Sequence, residues 1–263
     1  YAGPAGFFNI RGGNSGDLQV RKKSNGRLAL LPSPAPRELT QPFENVRYYD
    51  IPIAIQDRAF NVDGSLFYPD SRAFFDGVTG PYLPGSDISP LWNPEFFGNT
   101  LIANGNTWPY LDVEARRYRF RVLNGCQSRF LILDFSAIPN VEVWQIGNEG
   151  GFLTQAVNLT ATNGNRLLMS LAERADLIFD FTNVPLGQYV LKNVGPDEPF
   201  GGGVPGVDFE MADPATTGQV LQFRVGPAVS YDFSTPASDL RLPAVAALPA
   251  ASVTRRLALI EEM

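Results

Sequence analysis

The 263-residue chain has no histidine and one cysteine, Cys126. Without imidazole, Ser-His-Asp and Cys-His nucleophile arrangements cannot be assembled and HExxH-type metal sites are ruled out. Copper, iron or zinc centres built on imidazole cannot come from these residues either. A single cysteine permits no intrachain disulfide and no cysteine-rich zinc site. Long apolar runs are also missing: no window of about eighteen apolar residues occurs, so no membrane-spanning helix is expected. Basic residues are the minority, 21 Lys and Arg against 27 Asp and Glu, for a formal charge of −6. That is the reverse of the basic footprint that binding a phosphate backbone needs, so neither nucleic acid nor a membrane is an expected partner.

What is present supports a packed core, with 44% hydrophobic and 12% aromatic residues. From Tyr48 to Val225 short β-like runs recur between turn signals. In "DIPIAIQDRAF", Ile51, Ile53 and Ile55 share one side. In "RRYRFRVLNG", Tyr118, Phe120 and Val122 face one way and Arg117, Arg119 and Arg121 the other, the period of two of a half-buried strand. Asp63-Gly64 and Asn104-Gly105 read as two-residue hairpin turns. With about ten such runs and no helical period, the chain reads as all-β, a sandwich or Greek-key barrel. Residues 21 to 47 are basic and proline-rich, which suits a surface connection rather than core. The loop "GPDEPFGGGVPGVDFEMADPATT" is too long for a mere connector. After Val225 the chain turns proline- and alanine-rich up to "SVTRRLALIEEM", which looks like the first strand of a further unit. Both ends are expected to be cut from a longer protein.

Several residues invite a chemical reading and receive a plainer one. Cys126, directly after the alternating strand, is expected to be a packed or turn cysteine, because a copper thiolate would need imidazole partners. "FGGGVPG" lacks the Lys-Ser/Thr of a phosphate cradle, and "NVDGS" is explained by turn chemistry without calcium. Arg116, Arg117, Arg119 and Arg121 suit a solvated or salt-bridged face better than an anion site. Glu95, Glu114, Glu149 and Glu173 contain no evident pair of glycosidase carboxylates. Asn158 opens a glycosylation sequon. Trp92, Trp108 and Trp144 are expected in the core; if exposed and coplanar they would instead suit a stand-alone carbohydrate-binding module.

The segments "YAGPAGFF", "DIPIAIQDRAFNVDGSLFYP", "FFGNTLIANGNTWPYLDVEARRYRFRVLNGCQSRF", "WQIGNEGGFL", "LAERADLIFDF" and "VLQFRV", in this order, resemble the middle of a three-domain multicopper oxidase. The branch they resemble is that of spore-coat laccase, bilirubin oxidase and phenoxazinone synthase. The resemblance implies a cupredoxin-like Greek-key β-sandwich over residues 48–225. A remnant of the first cupredoxin domain would occupy 1–20, an interdomain linker 21–47, and a linker with the start of the third domain 226–263. In that family the copper ligands lie in His-x-His and His-Cys-His motifs of the first and third domains. The middle domain carries none, which would account for a histidine-free chain. The parent would couple one-electron oxidation of phenolic or pigment substrates at a type 1 copper to reduction of dioxygen to water at a trinuclear cluster. Its partners would be the first and third domains of the same chain. The parent would be extracytoplasmic or secreted, and the 263 residues alone inactive and prone to self-association.

In the spore-coat enzyme a disulfide joins an "FCG"-like turn to the late loop; here Phe97 stands at the first position and the late loop has no cysteine. The resemblance places Phe97 and the loop 196–206, with Phe200, Gly201, Gly202 and Gly203, on the rim of the substrate cleft, or else over an interdomain seam. A purely structural interaction domain is a further reading.

Overall fold

The computed structural model describes residues 3–9, 16–34, 47–69, 77, 93, 95–245 and 247–258. Trp92, residues 35–46 and the last five residues, on which parts of the sequence reading fall, lie outside these. The described elements are strands β1 (Arg21–Lys22), β2 (Asp50–Phe60), β3 (Leu66–Phe67), β4 (Thr100–Ala103), β5 (Asn106–Thr107), β6 (Tyr110–Glu114), β7 (Arg117–Asn124) and β8 (Leu131–Asp134). There follow β9 (Glu142–Asn148), β10 (Gly151–Asn158), the one-turn helix α1 (Leu159–Thr162), β11 (Arg166–Met169), β12 (Arg174–Asp180), β13 (Gly187–Asn193), β14 (Gln219–Gly226) and β15 (Leu240–Arg241). Asn158 of the sequon caps α1, its side-chain oxygen accepting the Ala161 N–H at 3.1 Å.

The alternation of β7 explains its place in the fold. Tyr118, Phe120 and Val122 are buried on the inner face. Phe120 meets Phe179 of β12 edge-on, ring centroids 5.1 Å apart, and Phe223 of β14 stacks on Phe120 at 5.6 Å. The first contact lies within one sheet, of order β10-β9-β12-β7-β2-β4-β5 with β3 beside β2, and the second crosses to the other sheet, of order β11-β8-β13-β14-β6. Two pairings, β2 with β7 and β14 with β6, are parallel and the rest antiparallel. Adjacent parallel strands cannot be joined by a tight turn, so the chain must cross between sheets, as in a Greek key. The all-β sandwich read from the sequence is the observed fold.

Asn104 and Gly105 form a two-residue turn, both at positive φ (49° and 81°), as expected. The other hairpin differs. The Asn61 N–H donates to the Ser65 carbonyl, so Val62, Asp63 and Gly64 make a three-residue loop with Gly64 at φ 83°. The Asp63 carboxylate, accepting from both the Ser65 amide and hydroxyl, draws the extra residue in.

A second layer covers the outer face of the larger sheet. Val20, Ala29, Ala237, Leu240 and Leu242 bury themselves against Ile146 of β9 and Ile178 of β12, and β1 pairs with β15. Part of the stretch expected at the surface, residues 21–31, thus joins a small core through Ala29 and Leu31. It does so because β12 alternates Ile178 outward between two aspartates, leaving an apolar spot that needs cover.

Candidate functional site

Phe97 and Phe200 lie far apart in sequence, and a buried arginine connects their segments. Arg129, at the start of the run into β8, is 1% exposed. Its Nη2 donates to the Gly98 carbonyl at 2.7 Å and its Nη1 to the Pro196 carbonyl at 3.2 Å. Nη1 also pairs with the Asp197 carboxylate. The guanidinium lies 5.5 Å from the centre of the half-buried Phe97 ring. On its other side, the fully buried Asp57 of β2 accepts the N–H groups of Gly98 (2.8 Å) and Gln127 (2.9 Å). Sequence reading missed Arg129, whose importance depends on two carboxylates remote in the chain.

The late loop carries its own order. The second oxygen of Asp197 accepts from the Thr217 hydroxyl (2.8 Å) and the Asp213 N–H (3.2 Å), fastening the loop's two ends to each other. Phe200 sits between Phe130 and Phe209, ring centroids 5.3 and 5.5 Å away. Gly201, Gly202 and Gly203 are exposed. Gly202 and Gly203 have φ of 95° and 107°, which only glycine adopts readily. Val204, Val207 and Met211 point apolar surface outward from the same loop.

The four arginines form a salt-bridged face, and a buried one. Arg119 is held by Asp176 (2.5 and 2.8 Å) and Asp17 (3.0 and 3.2 Å), and Arg121 by Asp50 (3.0 and 3.2 Å). Arg117 bonds Ser234 and lies 3.2 Å from Asp232, while Arg116 stacks on Tyr49, 3.6 Å from the ring centre. With each of these guanidinium groups matched to a carboxylate or ring, the face offers no anion site. Of the four glutamates, three are tied down separately. Glu114 takes bonds from Tyr49, Arg47 and the Val229 N–H, Glu149 pairs with Arg174, and Glu173 accepts from the Ser170 N–H.

Trp108 departs from its expected core position. It is 40% exposed at φ 42°, with its indole N–H on the Thr216 carbonyl. Trp144 is half-buried against the second layer and donates to Glu142. The two make no ring contact with each other, so no coplanar exposed pair of the kind a carbohydrate module would need is formed by them.

The residues present do not fit copper. There is no histidine. Cys126 is fully buried, its Sγ directed to the Ile55 carbonyl, and burial followed by the neighbouring Asp57 charge pushes its thiol well above the ordinary range. That disfavours the thiolate a metal would require. Among the described residues, no three His, Cys, Asp or Glu side chains gather as a metal site.

Burial by itself would raise Glu114, Asp134 and Asp232, yet all three are held below their ordinary values. For Glu114 the opposing groups are the Val229 N–H, Tyr49 and Arg47; for Asp134, Ser136 and Arg166; for Asp232, Ser234 and Arg117. Carboxylates depressed in the folded state stabilise it above their unfolded values, and that stability is lost as pH falls through the folded ones. Burial pushes the Tyr118 hydroxyl the other way, up to about 12. Its contribution is complete below the ordinary tyrosine value and is lost as pH climbs through the folded one. Urea midpoints are therefore expected to be level between about pH 5 and 9 and to fall below about pH 4 and above about pH 10. A midpoint at pH 3 equal to that at pH 7 would contradict this account of the carboxylates.

No protein-family model matches the chain. Among curated proteins it is 36% identical over 196 residues to a laccase of Bacillus subtilis, covering 74% of this chain and 33% of the laccase. It is 31% identical over 229 residues to multicopper oxidase LPR1 homolog 3 of Oryza sativa, covering 82% of this chain and 38% of that protein. Among solved structures, the McoA multicopper oxidase of the hyperthermophile Aquifex aeolicus superposes with a TM-score of 0.54 at 28% identity, over 76% of this chain and 36% of that one. The chain spans about a third of the length of each of these relatives.

Proposed function

We propose, from the premise that this chain belongs to the multicopper oxidase family, that it forms the central, copper-free cupredoxin-like domain of a laccase-like enzyme. The observation that carries this is a chain 36% identical to a laccase over 74% of its length, yet without one histidine. Residues 48–225 are the domain proper, 21–47 the link, and 1–20 and 226–263 pieces of its neighbours, of which Asp17, Val20 and the stretch 232–242 dock onto the outer face of the domain's larger sheet. The parent couples one-electron oxidation of phenolic or similar substrates to reduction of dioxygen to water, with copper held by residues outside these 263. The role of this part is to hold the first and third domains in register and to supply Phe97, Phe200 and the glycines 201–203 to the cleft rim. The outward Val204, Val207 and Met211 support a surface that neighbouring domains or substrate cover, and through which the isolated chain self-associates.

Adding Cu(II) to the purified chain tests the reading. The expected result is no intense blue thiolate-to-copper band and no phenol oxidation. Either signal, dependent on Cys126, would overturn the copper-free assignment.

A further inference from the structure

We infer that Arg129 is a positioning residue: its guanidinium locks the segment carrying Phe97 and Gly98 to the loop that starts at Pro196, fixing the two halves of the rim relative to one another. The consequence for substrate rests on the function proposed above; the lock itself rests on geometry alone. The side chain is 1% exposed and directs its two terminal nitrogens to different segments, Nη2 to the Gly98 carbonyl and Nη1 to Pro196 and Asp197. A planar fork can serve two such directions at once, whereas an ammonium on a flexible stem does not hold them at a fixed angle. The Nε finds no hydrogen-bond partner, though Asp57 lies 3.5 Å away. A buried donor left unmet is unfavourable, so the two terminal contacts decide where the group sits. Asp197 then passes the constraint on. One oxygen takes the arginine and the other takes Thr217 and Asp213 at the far end of the loop. A single buried cation thereby holds the turn at Gly98 and both ends of the loop that carries Phe200.

The test is Asp197→Asn, an isosteric change at a side chain 42% exposed, so the core is left alone. The new amide nitrogen cannot accept a hydrogen bond, and either Arg129 or the Asp213 N–H must lose its partner. In the 263-residue chain, hydrogen exchange at the Gly206, Ala212 and Gly218 amides, which close the loop on itself and on Gly195, is expected to accelerate about tenfold. That is the factor corresponding to loss of one charge-assisted bond. Exchange in β7 should stay unchanged. Arg129→Lys, keeping charge but not the fork, should loosen the same amides. Unchanged loop exchange in Asp197→Asn would overturn the lock, whether or not the lysine variant folds. In the full-length parent, Asp197→Asn should raise KM for a phenol several-fold with kcat retained. A loosened loop with KM unmoved would sink the rim assignment while leaving the lock intact.

Discussion

Replacing Arg119 with methionine is expected to destabilise the fold by about 3 to 5 kcal/mol, the range for removing one partner from a buried ion pair. Arg119 is 2% exposed and bonds Asp176 and Asp17, with Asp50 at 4.0 Å. The network holds three carboxylates, Asp17, Asp50 and Asp176, against two guanidinium groups, Arg119 and Arg121. In the variant the three would face Arg121 alone, in a cavity lined by Phe7, Phe8 and Phe152. Methionine has the length to fill the volume, so the loss reports charge rather than a cavity. A urea unfolding curve should show the midpoint shift with an unchanged slope. Adding Asp176→Asn to Arg119→Met should recover part of the loss, since the pair is coupled. There is also a local consequence: Asp17 ties the chain ahead of β1 to the sheet through Arg119, so trypsin should reach Lys22 and Lys23 faster in the variant. A loss below about 1 kcal/mol would mean that the network is solvated enough to behave as a surface set.

The sign of that prediction depends on burial, which the sequence could not reveal. Alternating arginines on β7 say that one face is charged; they do not say whether water or protein covers it. The cover comes from residues far along the chain, with β1 pairing to β15 and the Ser24 N–H bonding Asp239, 215 residues away. Local signals were legible where a short-range rule decides the outcome. Asn104-Gly105 needs only two residues that tolerate positive φ, and the inward set of β7 needs only a period of two. The Asp63-Gly64 turn gained a residue because Asp63 bonds Ser65, a side-chain choice the dipeptide rule does not include. Phe97 and Phe200 were singled out by family resemblance, while Arg129, which connects their segments, was passed over. An arginine after a turn looks like any surface arginine until Asp57 and Asp197, 68 residues from it in the latter case, are folded against it.

Gly98→Ala is expected to cost about 3 kcal/mol or more, although it adds one methyl group. A Cβ at this position would stand 2.5, 2.7 and 2.8 Å from the backbone N, C and Cα of Arg58. Those atoms belong to the backbone of β2, which pairs with β4 at Arg58 itself and is anchored to β7 over residues 50–55. The turn would have to retreat instead, and its N–H and carbonyl would leave Asp57 and Arg129 with two buried charged groups short of a partner. Overpacking costs about 1 to 3 kcal/mol, and each unmet buried group adds about 1 to 3 more. Gly201→Ala is the control: nothing lies within 4 Å of its added methyl, and the change should stay within about 0.5 kcal/mol. Thermal unfolding of the two variants side by side separates close approach from a general intolerance of substituted glycine. If Gly98→Ala melted with Gly201→Ala, the contact with Arg58 would not be what selects glycine there, and Phe97 would owe its position to the arginine alone.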